Sequence, residues 1–351
     1  MASILARVPH SLPLDAPLVF APRYQVLVWG GRRMEAFRND LPEGPVGESW
    51  DLADHDRGMS VVKDGPWAGT SLRDLTAQRG KALVGDGFQG GAFPLLVKLI
   101  DAADRLSVQV HPDDALAQQM GLGSNGKTEC WLLVGDGGEL YQGTRPEVDR
   151  ASFEAALKAG QVENTLNRFE TRAGDFFFLE ARTVHALGRG CLLYEVQQTS
   201  DITFRVWDWG RMGLDGKPRP MHVAESLATI DFSRGNFGPI QSSWAPHPSG
   251  GLLRALADCD YFAVEARKLN AGDSTRYAPR SGFVCSVVTC LNGQGRLRTI
   301  GGEVVLSPMQ TVLVPAAAAG WQAEATSQEF ELLHATPKFP ESGNAERSSD
   351  A

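Results

Sequence analysis

Short β-type runs separated by Gly- and Pro-containing turns recur along this chain, and they constrain its fold more than any other feature. The runs include "FPLLVKLI", "ECWLLV", "GDFFFL", "CLLYEVQQ" and, further along, "FVCSVVTCL" and "TVLVPA". They are rich in the β-branched and aromatic residues that favour strands. A parallel α/β sheet would need strands and ten-residue helices to alternate throughout, which they do not. The sequence therefore predicts an all-β protein of the sandwich or jelly-roll kind.

Four short pieces carry a helical pattern, and we expect them to be insertions between strands. They are "SLRDLTAQRG", "DDALAQQMG", "SFEAALKAG" and "HVAESLATI". Ser152 opens the third piece and is the predicted N-cap of that helix, because a serine oxygen can accept a bond from a free backbone N–H group.

A segment rich in Gly, Pro and Ser, "SRGNFGPIQSSWAPHPSGG", divides the β pattern into two parts and has no apolar period, which indicates a linker. We expect a larger domain over 1–235, a linker over 236–251 and a smaller domain over 252–337. Residues 338–351 are polar and predict a disordered tail. The two β parts are candidates for one architecture used twice.

Charge and cysteine content exclude several kinds of partner. The net charge of −8 argues against a nucleic-acid or membrane surface, since both reward clustered Lys and Arg. The five cysteines are an odd number without CxxC spacing, and no secretory leader is evident. We therefore expect the cysteines to be thiols in a reducing compartment, and the protein to be cytoplasmic. The sequence does not indicate whether it is a monomer or a dimer.

The stretch "RLSVQVHPDD" has an unusual polar face. Read as a strand, it places Ser107, Gln109 and His111 on one face, and Leu106, Val108 and Val110 on the other. A hydroxyl, an amide and an imidazole in one row indicate that something polar lies against them.

Further polar side chains come from later strands. "GKTECWLLV" puts Lys127, Glu129 and Trp131 on one face and turns Cys130 away from it, "EARTVHALG" brings His185, and "DITFRVWDW" puts Thr203, Arg205 and Trp207 on one face. Two imidazoles, a carboxylate and an amide suit a divalent cation of intermediate softness. A single buried histidine is more often a core residue, so spacing alone leaves a metal site and unrelated histidines both open.

Lys98 interrupts an apolar run, where an unpaired cation is costly, and so is expected to meet an anion.

Taken in order, several motifs resemble the type I phosphomannose isomerase family, whose members are cupin-fold enzymes. The matching pieces are "VWGGRRM", "VGESWDLADH", "FPLLVKLIDAADRLSVQVHPDD", "GKTECWLLV", "TVHALG", "YEVQQTSDITFRVWDWGR" and "PMHVAESL". The chain lacks the long helical insertion of the larger eukaryotic members and is similar to the shorter bacterial form. The resemblance implies two cupin (jelly-roll) domains with a few short helices inserted between strands.

The resemblance also implies functional residues. One Zn²⁺ per chain would be held by Gln109, His111, Glu129 and His185. Arg205 falls on a catalytic arginine, Lys127 on the lysine of a "KTE" motif, and Ser107 on a serine associated with the phosphate; Trp29, Glu48 and Lys98 fall on positions that line the sugar pocket. The family's turn before the last ligand usually reads Pro-x-Gly, whereas this chain has Glu180, Ala181 and Arg182.

The implied reaction is aldose–ketose isomerisation of D-mannose 6-phosphate and D-fructose 6-phosphate through an enediol(ate). A metal ion and Arg205 would stabilise developing negative charge. Three groups are candidates for the base: Glu48, Lys127 with a depressed pKa, and a metal-bound hydroxide. Ser107, Lys98 and Lys127 would bind the phosphate. An iron-dependent cupin dioxygenase and a non-catalytic sugar-sensing cupin remain alternatives.

Overall fold

The computed structural model describes residues 12–123, 125–279 and 282–339. Its strands, in chain order, are β1 Leu18–Val19, β2 Arg23–Gly31, β3 Val46–Leu52, β4 Leu95–Asp101, β5 Val108–Val110, β6 Glu129–Leu133, β7 Gly138–Thr144, β8 Leu166–Thr171, β9 Phe176–Leu179, β10 His185–Leu187, β11 Leu192–Gln198, β12 Phe204–Trp207, β13 Ala245–Pro246, β14 Leu252–Asp258, β15 Phe262–Asn270, β16 Ser274–Tyr277, β17 Ser286–Thr299, β18 Gly302–Leu306, β19 Thr311–Val314 and β20 Trp321–Pro337. Its α-helices are α1 Leu72–Leu83, α2 Asp114–Gln119, α3 Arg150–Lys158 and α4 Val223–Thr229, and short 3₁₀ helices cover Arg33–Ala36, Val162–Thr165 and Ala316–Ala318. The predicted all-β class with a few short helices between strands is confirmed.

The chain forms two compact units. The two-sheet unit, as we call it, contains Pro22–Asp51 and Leu95–Gln241. The single-sheet unit contains the described parts of Met1–Ala21, Leu52–Pro94 and Ser242–Ala351. Leu52–Pro94 therefore shares a unit with the C-terminal strands, and the domain boundaries expected from the sequence stay a prediction.

In the two-sheet unit, two antiparallel sheets face each other. One has the strand order β12-β5-β10-β7-β8 and the other β2-β3-β4-β11-β6-β9. One apolar cluster joins the sheets, since it contains Leu140 and Leu187 from the first and Trp131, Phe177 and Leu193 from the second. The space between the sheets is therefore an apolar core along much of its length, and it is the side toward which inward-facing residues point.

The outer face of the five-stranded sheet carries a second apolar cluster. Val108 and Val110 of β5 lie in it together with Phe153 of α3 and Ile230, which follows α4. Because strand residues alternate between faces, Gln109 points the other way, between the sheets. The predicted alternation of "SVQV" is thus confirmed.

Two face assignments from the sequence were wrong. Leu106 precedes β5 and packs in the cluster between the sheets rather than with Val108. Trp207 packs against the outer cluster, because the pairing of β12 with β5 shifts register between Arg205 and Trp207. A bulge of this kind reverses the face of every residue beyond it.

The four predicted helical pieces are helices, but the predicted N-cap of α3 was wrong. Asp149 is the N-cap: its Oδ1 accepts a bond from the backbone N–H of Ser152, and the Ser152 hydroxyl in turn accepts one from the N–H of Asp149. Ser152 is therefore the third helical residue of a capping box.

The single-sheet unit contains a nine-stranded sheet that follows the path β1-β19-β17-β20-β15-β14-β13, with β16 paired to β20 and β18 to β17. Its apolar core draws on β15, β17 and β20 and includes Leu269, Val288 and Phe330. The long strands β17 and β20 pair along most of their length.

All five cysteines lie in the described residues and are thiols rather than disulfides, in agreement with the sequence. Lys338 and Phe339, the first two residues of the predicted tail, are ordered by contacts with Asp258 and Phe88. Residues 340–351 of that tail lie outside the described residues.

Among the helices of the described ranges, none combines the length and the apolar character that crossing a membrane requires.

Candidate metal centre

A row of polar side chains crosses the five-stranded sheet on its inner face. Gln109 of β5 is directly opposite Arg205 of β12 on one side and His185 of β10 on the other. His185 is in turn opposite Gln142 of β7. Residues that are opposite in antiparallel strands point to the same face, so the row is fixed by strand register.

The facing sheet contributes a carboxylate. Glu129 opens β6, and it shares a strand face with Trp131 and Leu133, both of which belong to the cluster between the sheets. Glu129 is fully buried. Cys130 is on the opposite strand face, as predicted.

His111, Glu129 and His185 form a compact group whose potential ligand atoms all lie within 4.8 Å of one another. Glu129 Oε1 is 3.2 Å from His185 Nε2 and 3.8 Å from His111 Nε2. All three side chains are buried. In the part of the chain that the structure describes, it is the one group of three or more His, Cys, Asp or Glu side chains that lie close enough together to hold a metal ion.

Both imidazoles are oriented by backbone carbonyl groups. His111 Nδ1 lies 2.7 Å from the carbonyl oxygen of Ile202, and His185 Nδ1 lies 2.8 Å from that of Thr183. A carbonyl can only accept, so Nδ1 of each ring donates and Nε2 of a neutral ring carries a lone pair. This is the arrangement that typically orients histidine ligands of metal ions.

Lys127 supplies positive charge next to the group. Its Nζ lies 2.5 Å from Glu129 Oε2 and 3.3 Å from His111 Nε2. Burial alone would raise the pKa of Glu129, but the Lys127 ammonium and the imidazoles hold it well below its usual range. Burial, with Lys127 second, lowers the pKa of His111 well below its usual value. The carboxylate is therefore charged and His111 neutral at pH 7, as ligation requires.

Gln109 completes the set. Its Nε2 lies 3.2 Å from His185 Nε2. A half-turn of the amide exchanges nitrogen and oxygen without moving the side chain, so the oxygen can face the same point.

The donor set fits a divalent cation. Two lone pairs and a carboxylate oxygen converge in a buried place, and Glu129 Oε1, unlike the Oε2 that pairs with Lys127, has no hydrogen-bond donor among the described residues. Acceptors that face one another without a proton between them repel, and a cation relieves that repulsion. Two imidazoles, a carboxylate and an amide are a ligand set of the kind that holds catalytic metal ions.

Arg205 lies at the end of the polar row. Its guanidinium donates to the carbonyl oxygen of Pro220 at 2.8 Å, and its backbone bonds to His222 in both directions. Burial, followed by the positive charge of Arg219, lowers the pKa of Arg205. The side chain therefore lies near Arg219 and the carboxylate of Asp208, and it remains a cation at pH 7.

Glu195 was not singled out from the sequence, although it belongs to the polar interior. Lys98 Nζ lies 3.0 Å from Glu195 Oε1 and 3.7 Å from Glu48 Oε2. Burial alone would lower the pKa of Lys98, but the two carboxylates raise it above its usual value. The expectation that Lys98 meets an anion is confirmed. The same signal could have found Glu195, since it too interrupts an apolar run.

Trp131 connects this ion pair with the ligand group. Its Nε1 donates to Glu195 Oε2 at 2.8 Å, and its ring meets the His185 ring edge-on at a centroid distance of 5.3 Å. The indole thus holds Glu195 on one side and restricts the rotation of His185 on the other.

The remaining predicted site residues lie in different surroundings. Glu48 accepts a bond from Trp50 Nε1 at 2.5 Å, and 16% of its side chain is exposed. Trp29 packs in the apolar cluster between the sheets. Ser107 is buried immediately before β5, two residues before Gln109.

The turn before His185 has an unusual backbone. Arg182 has φ 73°, in the left-handed region that glycine prefers. A non-glycine residue there costs about 1–2 kcal/mol. The Thr183 N–H nevertheless bonds to the carbonyl of Glu180, so the turn closes without the glycine of the Pro-x-Gly pattern.

Two facing antiparallel sheets with polar side chains gathered between them are the architecture of the cupin class, and the gathered imidazoles, carboxylate and amide are a donor set that fits a divalent cation. Residues 18–129 match the model of the family described as phosphomannose isomerase type I, catalytic domain. That match includes eight of the ten predicted site residues, all except His185 and Arg205.

Relatives extend the likeness over most of the chain. Mannose-6-phosphate isomerase ManA of Bacillus subtilis is 33% identical over 294 residues, which cover 82% of this chain and 89% of that protein. Mannose-6-phosphate isomerase of Streptococcus mutans is 33% identical over 311 residues, or 87% of this chain and 94% of that protein. The chain belongs to the type I phosphomannose isomerase family.

Solved structures agree. The crystal structure of mannose 6-phosphate isomerase from Bacillus subtilis superimposes with a TM-score of 0.82 at 27% identity, covering 91% of this chain and 99% of that one. A putative mannosephosphate isomerase from Archaeoglobus fulgidus shares the fold, with a TM-score of 0.74 at 22% identity over 94% of this chain and 99% of that one.

Proposed function

We propose that this protein is a metal-dependent isomerase that interconverts D-mannose 6-phosphate and D-fructose 6-phosphate through an enediol(ate) intermediate. The observation that carries the proposal is the convergence of His111, Glu129 and His185 within 4.8 Å beside Gln109 and Arg205. Membership of the family, established over more than four-fifths of the chain, supports the same reaction.

Gln109, His111, Glu129 and His185 would hold the metal ion, and zinc is the ion that we propose. Two imidazoles and one carboxylate are typical ligands of catalytic zinc. When bound, the ion supplies Lewis acidity toward the oxygen atoms of the sugar. With one carboxylate and neutral remaining ligands, the site carries net positive charge, which suits an anionic intermediate.

Arg205 would stabilise the negative charge that develops on the sugar oxygens. It is fixed by Pro220 and His222 before substrate arrives, so little reorganisation is needed when charge develops. Its role is electrostatic, because a guanidinium remains protonated.

The proton between C1 and C2 requires a base, and Glu48 is the better of the two side-chain candidates. It is a carboxylate outside the ligand group, and its partial exposure lets a substrate reach it. Lys127 is directed at Glu129 instead, where it fixes the carboxylate and adds positive charge.

We assign phosphate binding to Ser107, which the family resemblance implies, and to Lys98 and Lys127, whose ammonium groups are suitable donors, and a place in the sugar pocket to Trp29. Ser107 offers a hydroxyl donor and the two lysines offer ammonium donors, which are groups that a phosphate oxygen accepts from.

The proposal is tested by following fructose 6-phosphate formed from mannose 6-phosphate by purified wild-type protein, with Glu129→Gln as the matched variant. We expect turnover by the wild type and none above background by the variant. Binding of the sugar phosphate without turnover would instead indicate a sugar-sensing protein. Oxygen uptake by iron-loaded protein would indicate a dioxygenase.

We further infer that the enzyme works in the cytoplasm on a free sugar phosphate. Five cysteine thiols support this location, since thiols persist in reducing compartments. The acidic charge supports the absence of a nucleic-acid or membrane partner.

A further inference from the structure

We propose that Arg182 is a positioning residue that holds the two histidine ligands in register, and that its side chain increases the affinity of the site for its metal ion. This inference rests on the proposed metal centre. Arg182 lies outside the ligand group and reaches it only through other residues.

The backbone of Arg182 joins the segments that carry the two histidines. Its N–H donates to the carbonyl oxygen of His111 at 2.7 Å. The next residue, Thr183, provides the carbonyl that orients the His185 ring. The left-handed conformation of Arg182 directs both groups, so this residue adds a second connection between the two ligand segments, beside the direct pairing of β5 with β10.

The Arg182 side chain adds two contacts that a glycine could not make. Nε donates to the carbonyl oxygen of Thr229 at 3.1 Å, and Nη1 lies 3.7 Å from Asp113 Oδ2. Thr229 is the last residue of α4, where the helix dipole favours a cation. Asp113 is the N-cap of α2 and follows His111 by two residues.

Helix α4 extends the connection to Arg205. At its beginning, His222 bonds to the backbone of Arg205 in both directions, and at its end Thr229 accepts the bond from Arg182. One short helix thus connects Arg182 with the proposed catalytic arginine, and Arg182 also holds the segments of both histidine ligands.

This arrangement explains why a non-glycine residue occupies a conformation that glycine prefers. The side chain compensates for the backbone strain by fixing α4 and the start of α2 relative to the turn. Without it, the backbone that carries His111 and the Thr183 carbonyl that orients His185 would be held less firmly, and the ligand set would be less well organised before metal binds.

The test measures zinc affinity of the metal-free protein by competition with a chromophoric chelator. Arg182→Gly removes the side chain and suits the backbone, whereas Arg182→Lys keeps the charge. We expect zinc to bind about tenfold more weakly to Arg182→Gly, at the lower end of the effect of residues that orient ligands, and Arg182→Lys to recover part of the loss. Arg150→Ala, which removes an exposed arginine of α3, is the matched control and should bind as the wild type does.

Thermal unfolding of the metal-free proteins separates positioning from general stabilisation. A lower unfolding midpoint of Arg182→Gly with zinc affinity within twofold of the wild type would overturn the inference. Arg182→Ala carries the same test if the glycine variant does not fold. Failure of the wild type to bind zinc would overturn the proposed metal centre as well, so the two failures are distinguishable.

Discussion

Each unit of this protein places a histidine and a glutamate side by side among its buried strands, but the two groups are completed differently. In the two-sheet unit, Glu129 Oε1 faces the Nε2 atoms of His111 and His185. In the single-sheet unit, His334 Nδ1 lies 2.9 Å from Glu265 Oε1 and His334 Nε2 lies 2.9 Å from the Ser286 hydroxyl. Both nitrogens of His334 are therefore engaged by neighbouring side chains.

The carboxylate of the single-sheet unit is neutralised by a fixed cation. Arg267 donates to Glu265 Oε1 through Nε at 2.8 Å and bonds to Thr275 and the carbonyl of Arg276 through Nη1. Its guanidinium also lies over the Trp321 ring, 5.2 Å from the centroid. Arg267 thus neutralises the Glu265 carboxylate, whose negative charge a metal ion would otherwise balance.

The comparison shows that histidine and glutamate on inward strand faces do not by themselves make a metal site. The two groups differ in whether the lone pairs of the histidine ring nitrogens remain available to point at one common position. Lys127 engages one oxygen of Glu129 and leaves the other to the imidazoles, whereas the single-sheet unit engages every ring nitrogen of His334. We therefore expect metal chemistry in the first unit and a structural role for the second group.

The largest expected effect comes from neutralising each glutamate in turn. Glu129→Gln removes the anionic ligand, so we expect zinc affinity to fall by more than about 100-fold, beyond the range for residues that only orient ligands, and turnover to be lost. Glu265→Gln should leave turnover per folded molecule within about twofold. Metal content and initial rates check both, and equal losses in the two variants would break the comparison.

Removing Arg205 tests whether the cation beside the metal centre acts on the transition state. Arg205→Ala should lower kcat by about 10²–10³-fold, in the range observed when one preorganised electrostatic group is lost. Zinc affinity should stay unchanged, because Arg205 is not a ligand. Arg296→Ala, on the other unit, is the control. A change in KM alone would show that Arg205 only binds substrate.

Removing Arg267 tests the structural role of the second group. Arg267→Ala leaves Glu265 beside His334 without a cation, and we expect the free energy of unfolding to fall by about 3 kcal/mol, the lower end of the range for a broken buried pair, because 25% of the Glu265 side chain is exposed. Turnover per folded molecule should not change. Urea unfolding measures the effect, and Arg298→Ala, which removes a surface ion pair, should change stability little. Loss of zinc from Arg267→Ala would contradict the separation of roles.

Acid should weaken the second group in a defined window. Burial alone would raise the pKa of Glu265, but His334 and Arg267 lower it to about 2. A carboxyl with a lowered pKa stabilises the fold above its unfolded value of about 4.5, and the stabilisation, at most about 3 kcal/mol, is lost as pH falls toward about 2. Glu265→Gln should show a weaker dependence of unfolding free energy on pH below 4.5. Identical pH dependence in variant and wild type would refute this assignment.

Local patterns predicted much of the fold and most of the polar row. The alternation of Val108, Gln109 and Val110 follows from strand geometry, and the four helices follow from their apolar period. The N-cap of α3 was misplaced by three residues, because Asp149 and Ser152 are both good capping residues and the choice depends on where the chain enters the helix.

Long-range features were not predictable in the same way. The β12–β5 bulge that turns Trp207 outward depends on pairing between distant segments. The ion pair of Lys98 with Glu195 depends on the register of β4 with β11, which places the two residues opposite each other. A single sequence shows that each charge interrupts an apolar run, but it does not show which charges meet.

The most direct measurement is the rate of fructose 6-phosphate formation from mannose 6-phosphate by the wild-type protein, before chelation, after chelation and after zinc is restored. The account predicts that turnover is lost with the chelator and regained with zinc, and that Glu129→Gln regains none. A folded, zinc-loaded wild-type protein without turnover, or one whose turnover persists when metal-free, would contradict it.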